Sequence, residues 1–232
     1  MSTPELMTKG QLAFDLSPET NFKADDYLVA PHNEQATRKV LSFPSWPAPY
    51  LGLNLHAPKG LGKSHLAAVF AERFHAQKIT PDQLNSWPDL PDQPVVLEDV
   101  TPACHETDLL HLFNRFAAEH KAGLLFISET PLSQMDWQLP DLKSRLRSLA
   151  TAQIDLPDDA FLALMLERHF NRFQCVVPDS AMRYILARMP RSLHAVKNIC
   201  SALNALSLAQ KKPVSVALAR LLFEQQDELP LE

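Results

Sequence analysis

Eight consecutive residues, Ala57-Pro58-Lys59-Gly60-Leu61-Gly62-Lys63-Ser64, constrain this chain more than any other stretch. Their spacing is that of a phosphate-binding loop, G-x-x-x-x-G-K-[ST], with alanine at the first glycine position. The flanks agree with such a loop. Leu51, Leu53 and Leu55 alternate as in a strand, and over residues 65–77 Leu66, Val69, Phe70 and Phe74 fall on one helical stripe. Two of the chain's five glycines sit between that strand and that helix, which points to a backbone requirement. Glycine reaches positive φ without a Cβ clash, so successive N–H groups can converge on phosphate oxygens. The helix N-terminus then adds partial positive charge. In that geometry Lys63 meets the β and γ phosphates of ADP or ATP, and the Ser64 hydroxyl holds Mg2+. Pro58, Lys59, Gly60, Leu61, Gly62 and His65 complete the contact set. If position 57 needs a positive φ, Ala57 costs about 1 kcal/mol but removes no phosphate ligand.

A second element supports the first. Val95-Val96-Leu97 reads as a buried strand that ends in Glu98-Asp99, acids delivered beside the phosphates. By register Glu98 takes the metal side and Asp99 the side of the attacking water. The shorter acid at the second place predicts slow intrinsic hydrolysis. Leu124-Leu125-Phe126-Ile127 is the next buried strand, and Ser128 at its end is a candidate polar sensor of the γ-phosphate.

The rest of the chain follows the same alternation. A helix is predicted over residues 106–121, with Leu109, Leu112, Phe113 and Phe116 buried and Gly123 as its terminator. A short strand is predicted over 152–156. Beyond Pro157 the strand signal disappears. Residues 159–173, 179–189 and 192–210 read as amphipathic helices separated by Pro178 and Pro190, with a shorter one after Pro213. Alternating strands and helices imply an α/β fold with a parallel sheet covered on both faces, and the helical remainder implies a separate small bundle. The expected divisions are 1–20, a flexible tail, then 21–157, a nucleotide-binding base, then 158–232, a helical lid.

Composition excludes several classes. With 46% hydrophobic and 21% charged residues, 232 residues can bury a substantial core. No run approaches the ~20 apolar residues of a membrane helix, and residues 1–20 do not read as a secretory leader. Cys104, Cys175 and Cys200 show no paired spacing, which suits reduced thiols in a cytoplasmic protein. The net charge of −5 opposes strong direct DNA binding, whose affinity rests on phosphate neutralisation. The histidines form no ligand spacing, so the one metal expected is the Mg2+ of the nucleotide.

These motifs together resemble the DnaA family of AAA+ proteins. Gly60-Leu61-Gly62-Lys63-Ser64-His65-Leu66 is similar to that family's loop, Leu142-Lys143-Ser144-Arg145-Leu146 to its arginine-finger box, and Arg191-Ser192-Leu193 to its second sensor. Asn33 and Ala36 suit its adenine-side segment. The resemblance covers residues 20–225 and implies a P-loop AAA+ parallel-sheet domain with a smaller C-terminal all-helical lid. It further implies that Arg145 acts in trans on a neighbour's nucleotide and that Arg191 touches the phosphates of the chain's own. Gln11-Leu12-Ala13-Phe14-Asp15-Leu16 resembles the hexapeptide that binds the DNA polymerase sliding clamp, with Gln11, Leu12, Phe14 and Leu16 as contacts. No counterpart of the DNA-binding domain of DnaA is expected after the lid. That combination is similar to the Hda-type regulatory inactivators of DnaA. The expected partners are therefore the sliding clamp and DnaA, with a homo-oligomer as a further possibility. A stand-alone ATPase of the helicase-loader type is the alternative.

Overall fold

The computed structural model describes residues 26–47, 52–86, 93–118 and 123–227. The hexapeptide Gln11–Leu16 lies outside them. Five strands form one parallel sheet: β1 (Gly52–His56), β2 (Gln77–Ile79), β3 (Val95–Leu97), β4 (Leu124–Ser128) and β5 (Ala150–Gln153), in the order β2-β3-β4-β1-β5. Because side chains alternate across a strand, the apolar runs of β3 and β4 feed both faces. Val95, Leu97, Leu124 and Phe126 pack with α3 (Glu106–Ala118) and α4 (Pro140–Arg147), reaching Leu109, Phe113, Leu142 and Leu146. Val96, Leu125 and Ile127 pack on the other face with Leu53 and Leu55 of β1. There they meet Val40 of α1 (Pro31–Leu41) and Leu66 and Phe70 of α2 (Lys63–Phe74). The sheet is therefore a buried middle layer, as the uninterrupted apolar runs require.

The helices α5 (Asp159–Arg172), α6 (Asp179–Leu186), α7 (Leu193–Gln210) and α8 (Val216–Asp227) enclose a third core around Leu166, Phe170, Ile185, Val196, Ile199 and Leu203. Asp158 caps α5 through a bond from the Phe161 N–H at 2.8 Å, and Ser192 caps α7 through the Ala195 N–H at 3.1 Å. Among the described residues no helix is long and apolar enough to cross a membrane.

Two local expectations fail for identifiable reasons. The helix predicted over 65–77 begins at Lys63 and stops at Phe74, because His75 turns left-handed (φ 54°) with its N–H on the Ala71 carbonyl. The three residues after Ala76 form the edge strand β2, whose single buried residue, Ile79, gives no alternation to detect. The last strand is β5 at Ala150–Gln153 rather than 152–156, and Leu156 is exposed. Gly123 precedes β4 with φ 106°, where a Cβ would stand 2.7 Å from the Pro94 Cβ, so close packing against the neighbouring strand's lead-in explains it.

Candidate nucleotide-binding site

The loop 57–62 leaves the centre of the sheet at His56 and turns into α2 at Lys63. Gly60 (φ 78°) and Gly62 (φ 95°) both adopt the left-handed conformation that the loop geometry demands. Ala57 is buried and is absent from the positive-φ positions, so its substitution for glycine carries no backbone strain. Lys63 Nζ donates to the Ala57 and Pro58 carbonyls at 2.6 and 3.0 Å. Burial lowers the proton affinity of Lys63, Glu129 and Asp99 oppose that shift, and Lys59 reinforces it. Helix geometry leaves the first N–H groups of α2 without intrahelical partners, a fixed donor set beside this cation.

Around the loop lies a cavity of about 550 Å³. One wall is the segment before and within α1, with Tyr27, Leu28 and Asn33. Tyr27 meets His65 edge-on at 5.1 Å, and its hydroxyl pairs with that of Thr37 at 3.0 Å. Asn33 fixes the backbone here: its Oδ1 accepts the Ala30 N–H at 2.8 Å and its Nδ2 donates to the Leu28 carbonyl at 2.9 Å. Ala36 is buried in the core and is not part of the wall.

The opposite wall is helical. Phe161, Met165, Arg168 and Arg172 come from α5, and Leu193, His194, Lys197 and Ser201 from α7. The N-terminus of α7 rests on the loop itself: the Leu193 and His194 N–H groups donate to the Gly60 carbonyl at 2.8 and 3.3 Å. The contact is so close that a Cβ on Gly60 would stand 2.8 Å from the His194 Cβ. Asp26 adds a second tie, pairing with Arg168 at 3.4 Å and Arg172 at 3.3 Å.

The remaining predicted residues separate into two groups. Lys59 pairs with Glu129 at 3.3 Å, so Lys59, Lys63, Asp99 and Glu129 form one charged cluster. Asp99 sits at φ 55°, a conformation aspartate tolerates. Glu98 pairs at 2.6 Å with Lys78 of β2, while Asp99 and Glu129 are the carboxylates acting on Lys63. The Arg191 guanidinium pairs with Asp159, in the first turn of α5, at 2.9 Å and is not part of the cavity wall. Ser128 is buried with its hydroxyl donating to the Thr130 carbonyl at 2.7 Å, while accepting from Asn54 Nδ2 at 2.9 Å. Arg145 lies in the last turn of α4, half-buried and outside the cavity wall.

Two residues of this site belong to no motif. Asn54, buried in the middle of β1, bonds Ser128 and also accepts the Leu132 N–H at 2.9 Å, joining β1 to the end of β4 and the turn beyond it. Its signal is a polar residue inside the apolar run Leu53-Asn54-Leu55. Glu129 carries none. Among the described residues no group of three or more His, Cys, Asp or Glu could hold a metal alone, so Mg2+ here would need the oxygens of a bound phosphate.

No protein-family model matches the chain. Among solved structures it is similar to domain III of the Thermotoga maritima replication initiation protein DnaA, with a TM-score of 0.72 and 17% identity, over 89% of this chain and 97% of that one. The fold is that of the DnaA AAA+ domain. AMPPCP-bound DnaA from Aquifex aeolicus gives 0.65 and 15%, over 81% of this chain and 66% of that one. The Thermotoga maritima RuvB Holliday junction branch migration motor gives 0.58 and 13%, over 75% and 61%. At these identities the likeness is one of fold.

Three histidines, His32 and His56 buried and His169 half-buried, make this fold sensitive to acid. His32, His56 and His169 all have lowered pKa values, with burial the largest cause; Asp158 and Asp155 oppose it at His32, and Asp155 at His56. Their unfolded values lie near 6.5. As pH falls below about 6.5 the unfolded chain takes up protons that the folded chain refuses, so stability declines, by at most about 1.4 kcal/mol per pH unit per histidine. Thermal unfolding is expected to show a lower Tm at pH 5.5 than at pH 7.5. His32 lies 4.4 Å from the Phe161 ring, with its Nε2 buried and unpartnered. His32→Phe should therefore raise stability by about 1 kcal/mol at pH 7.5 and flatten the pH dependence. An unchanged pH slope in that variant would remove His32 from the acid-sensitive set.

Proposed function

We propose that the chain binds an adenine nucleotide, ADP or ATP with Mg2+, between loop and lid, and that the loaded module regulates the initiation of chromosomal replication. The observation that carries this reading is the meeting of two walls: a glycine-shaped donor loop with a half-buried lysine on one side, a helix docked onto that loop on the other. The residues present fit a nucleotide. A cavity of about 550 Å³ suits a small organic ligand, and its lining combines the cations Lys63, Arg168, Arg172 and Lys197 with apolar side chains such as Leu28, Phe161 and Met165. The Aquifex aeolicus DnaA of like fold is itself AMPPCP-bound.

In this reading Lys63 leaves the Ala57 and Pro58 carbonyls to neutralise the β and γ phosphates, and Ser64 presents its hydroxyl to Mg2+. The metal would supply charge neutralisation at the phosphates. Tyr27, Leu28 and Asn33 wall the base side, and Asp99 with Glu129 oppose the loss of the Lys63 proton that burial favours. The Glu98–Lys78 pair diverts one of the two strand-end acids, in keeping with slow turnover by the chain itself.

Regulation follows from the two elements that this cavity does not use. Gln11, Leu12, Phe14 and Leu16, outside the described residues, would insert into the sliding clamp, and Arg145 would then be offered to ATP held by DnaA, in the bacterial cytoplasm where both partners act. DnaA charged with labelled ATP tests this. Conversion to ADP is expected to accelerate only when the chain and DNA-loaded clamp are both present. Hydrolysis by the chain alone, with retention on helicase rather than clamp beads, would instead establish the loader-type alternative. Replacing Gln11, Leu12 and Phe14 with alanine should abolish clamp retention, since each such anchor contributes on the order of 2 kcal/mol. Retention equal to the parent's removes the tail from the mechanism.

A further inference from the structure

Four side chains with permanent positive charge line the cavity: Lys63, Arg168, Arg172 and Lys197. Their partners differ. Arg168 and Arg172 share the Asp26 carboxylate, and Lys63 already donates to two loop carbonyls. Lys197 has no carboxylate within ion-pair distance among the described residues, although it is half-buried. An uncompensated cation in a cavity wall is a standing attraction for an anion.

The position of Lys197 is set by the docking of α7. The Leu193 and His194 N–H groups pin that helix to the Gly60 carbonyl, and Lys197 lies one turn further on the same face, followed by Ser201. Lys197 is part of the cavity lining, and a lysine stem can cover apolar surface while its ammonium stays in open space. Lys197 also acts electrostatically on His169 of α5, together with Arg172 and Arg168, so the cations of the two helices converge on one region. Arg191, the lid cation that the sequence pattern favours, is held by Asp159 outside the wall.

We infer that Lys197, and not Arg191, is the lid side chain that contacts the phosphates of the bound nucleotide, so that α7 contributes to the anion cradle one turn inside its first residue. This rests on the cavity being an adenine-nucleotide site. Lys197 then couples occupancy to lid position, because the same helix is bonded to the phosphate loop.

Displacement of a fluorescent ADP analogue from the full-length chain, with ADP and adenosine as competitors, tests the assignment. Lys197→Ala and Lys197→Gln should each weaken ADP by roughly 10- to 100-fold, the loss of one charge-assisted contact. Adenosine should bind as to the parent, and Lys197→Arg should recover most of the ADP affinity. Arg191→Ala should hold ADP within about threefold of the parent, less than one such contact is worth. Circular dichroism confirms that each variant is folded, and the glutamine variant keeps most of the stem should alanine loosen the wall. Parental ADP affinity in a folded Lys197→Gln variant overturns the inference, as does an equal loss for adenosine, which would make Lys197 a base-side or packing residue. A parent chain that takes up no ADP at all removes the nucleotide reading itself, and Lys197 with it.

Discussion

Arg145→Ala is expected to eliminate stimulation of DnaA-bound ATP hydrolysis while leaving nucleotide affinity and clamp retention intact. The helix that carries Arg145 is anchored independently of it: Leu142 and Leu146 are buried in the core beneath α3, and Pro140 starts the helix. Alanine is the best helix former, so the substitution preserves α4. What it removes is a guanidinium, half-buried at the end of that helix and outside the chain's own cavity wall. An arginine supplied in trans to a phosphoryl-transfer site contributes about 10³–10⁵ in rate, equivalent to roughly 4–7 kcal/mol. The comparison to make is single-turnover hydrolysis by DnaA with loaded clamp and either parent or variant. Arg145→Lys should fail nearly as badly, because a point-like ammonium cannot reproduce two-pronged contact with phosphate oxygens. Stimulation by Arg145→Ala at the parental rate would falsify the finger assignment and leave the cavity untouched.

Lys63→Ala is expected to reduce ADP and ATP affinity by about 10²–10³-fold, some 3–4 kcal/mol, as befits removal of a partly buried cation from an anion site. Burial lowers the proton affinity of the side chain, and Glu129 and Asp99 oppose that shift. A ligand bound only by the folded state raises stability by about 2.7 kcal/mol at a hundred times its Kd. The parent should therefore melt at a higher temperature with ADP, and the variant should not. Without ligand the variant loses two hydrogen bonds to the Ala57 and Pro58 carbonyls and should melt slightly lower than the parent. Equal thermal shifts in parent and variant would end the reading of the loop as a phosphate cradle.

The site was legible in the sequence where chemistry and local geometry coincide. A loop that needs positive φ shows its glycines, a strand covered on both faces shows an apolar run, and the lid helices show periodicity punctuated by prolines. Pairing is different in kind. Nothing near Arg191 announces that Asp159, 32 positions earlier, will hold it, nor near Glu98 that Lys78 of a three-residue edge strand will do the same. Surface ion pairs depend on where helices and strand ends come to lie, and local patterns do not encode that. Asn54 stands between these cases. Its polarity inside an apolar strand is visible, but the demand it answers, joining Ser128 to the Leu132 amide, exists only after the strands are assembled.

Asp26 has a mechanical side. It is held by two arginines of α5, and it stands ten peptide steps after Leu16, so at most about 35 Å of chain separates the hexapeptide from the lid. The next residue, Tyr27, packs against the core beneath the sheet and meets His65 of α2. Half-exposed ion pairs contribute only about 0–1 kcal/mol each, so the hold of Asp26 on α5 is the weaker of these two attachments. Two adjacent residues thus grip opposite sides of one cleft, the first through a carboxylate shared by two arginines and the second through an aromatic ring.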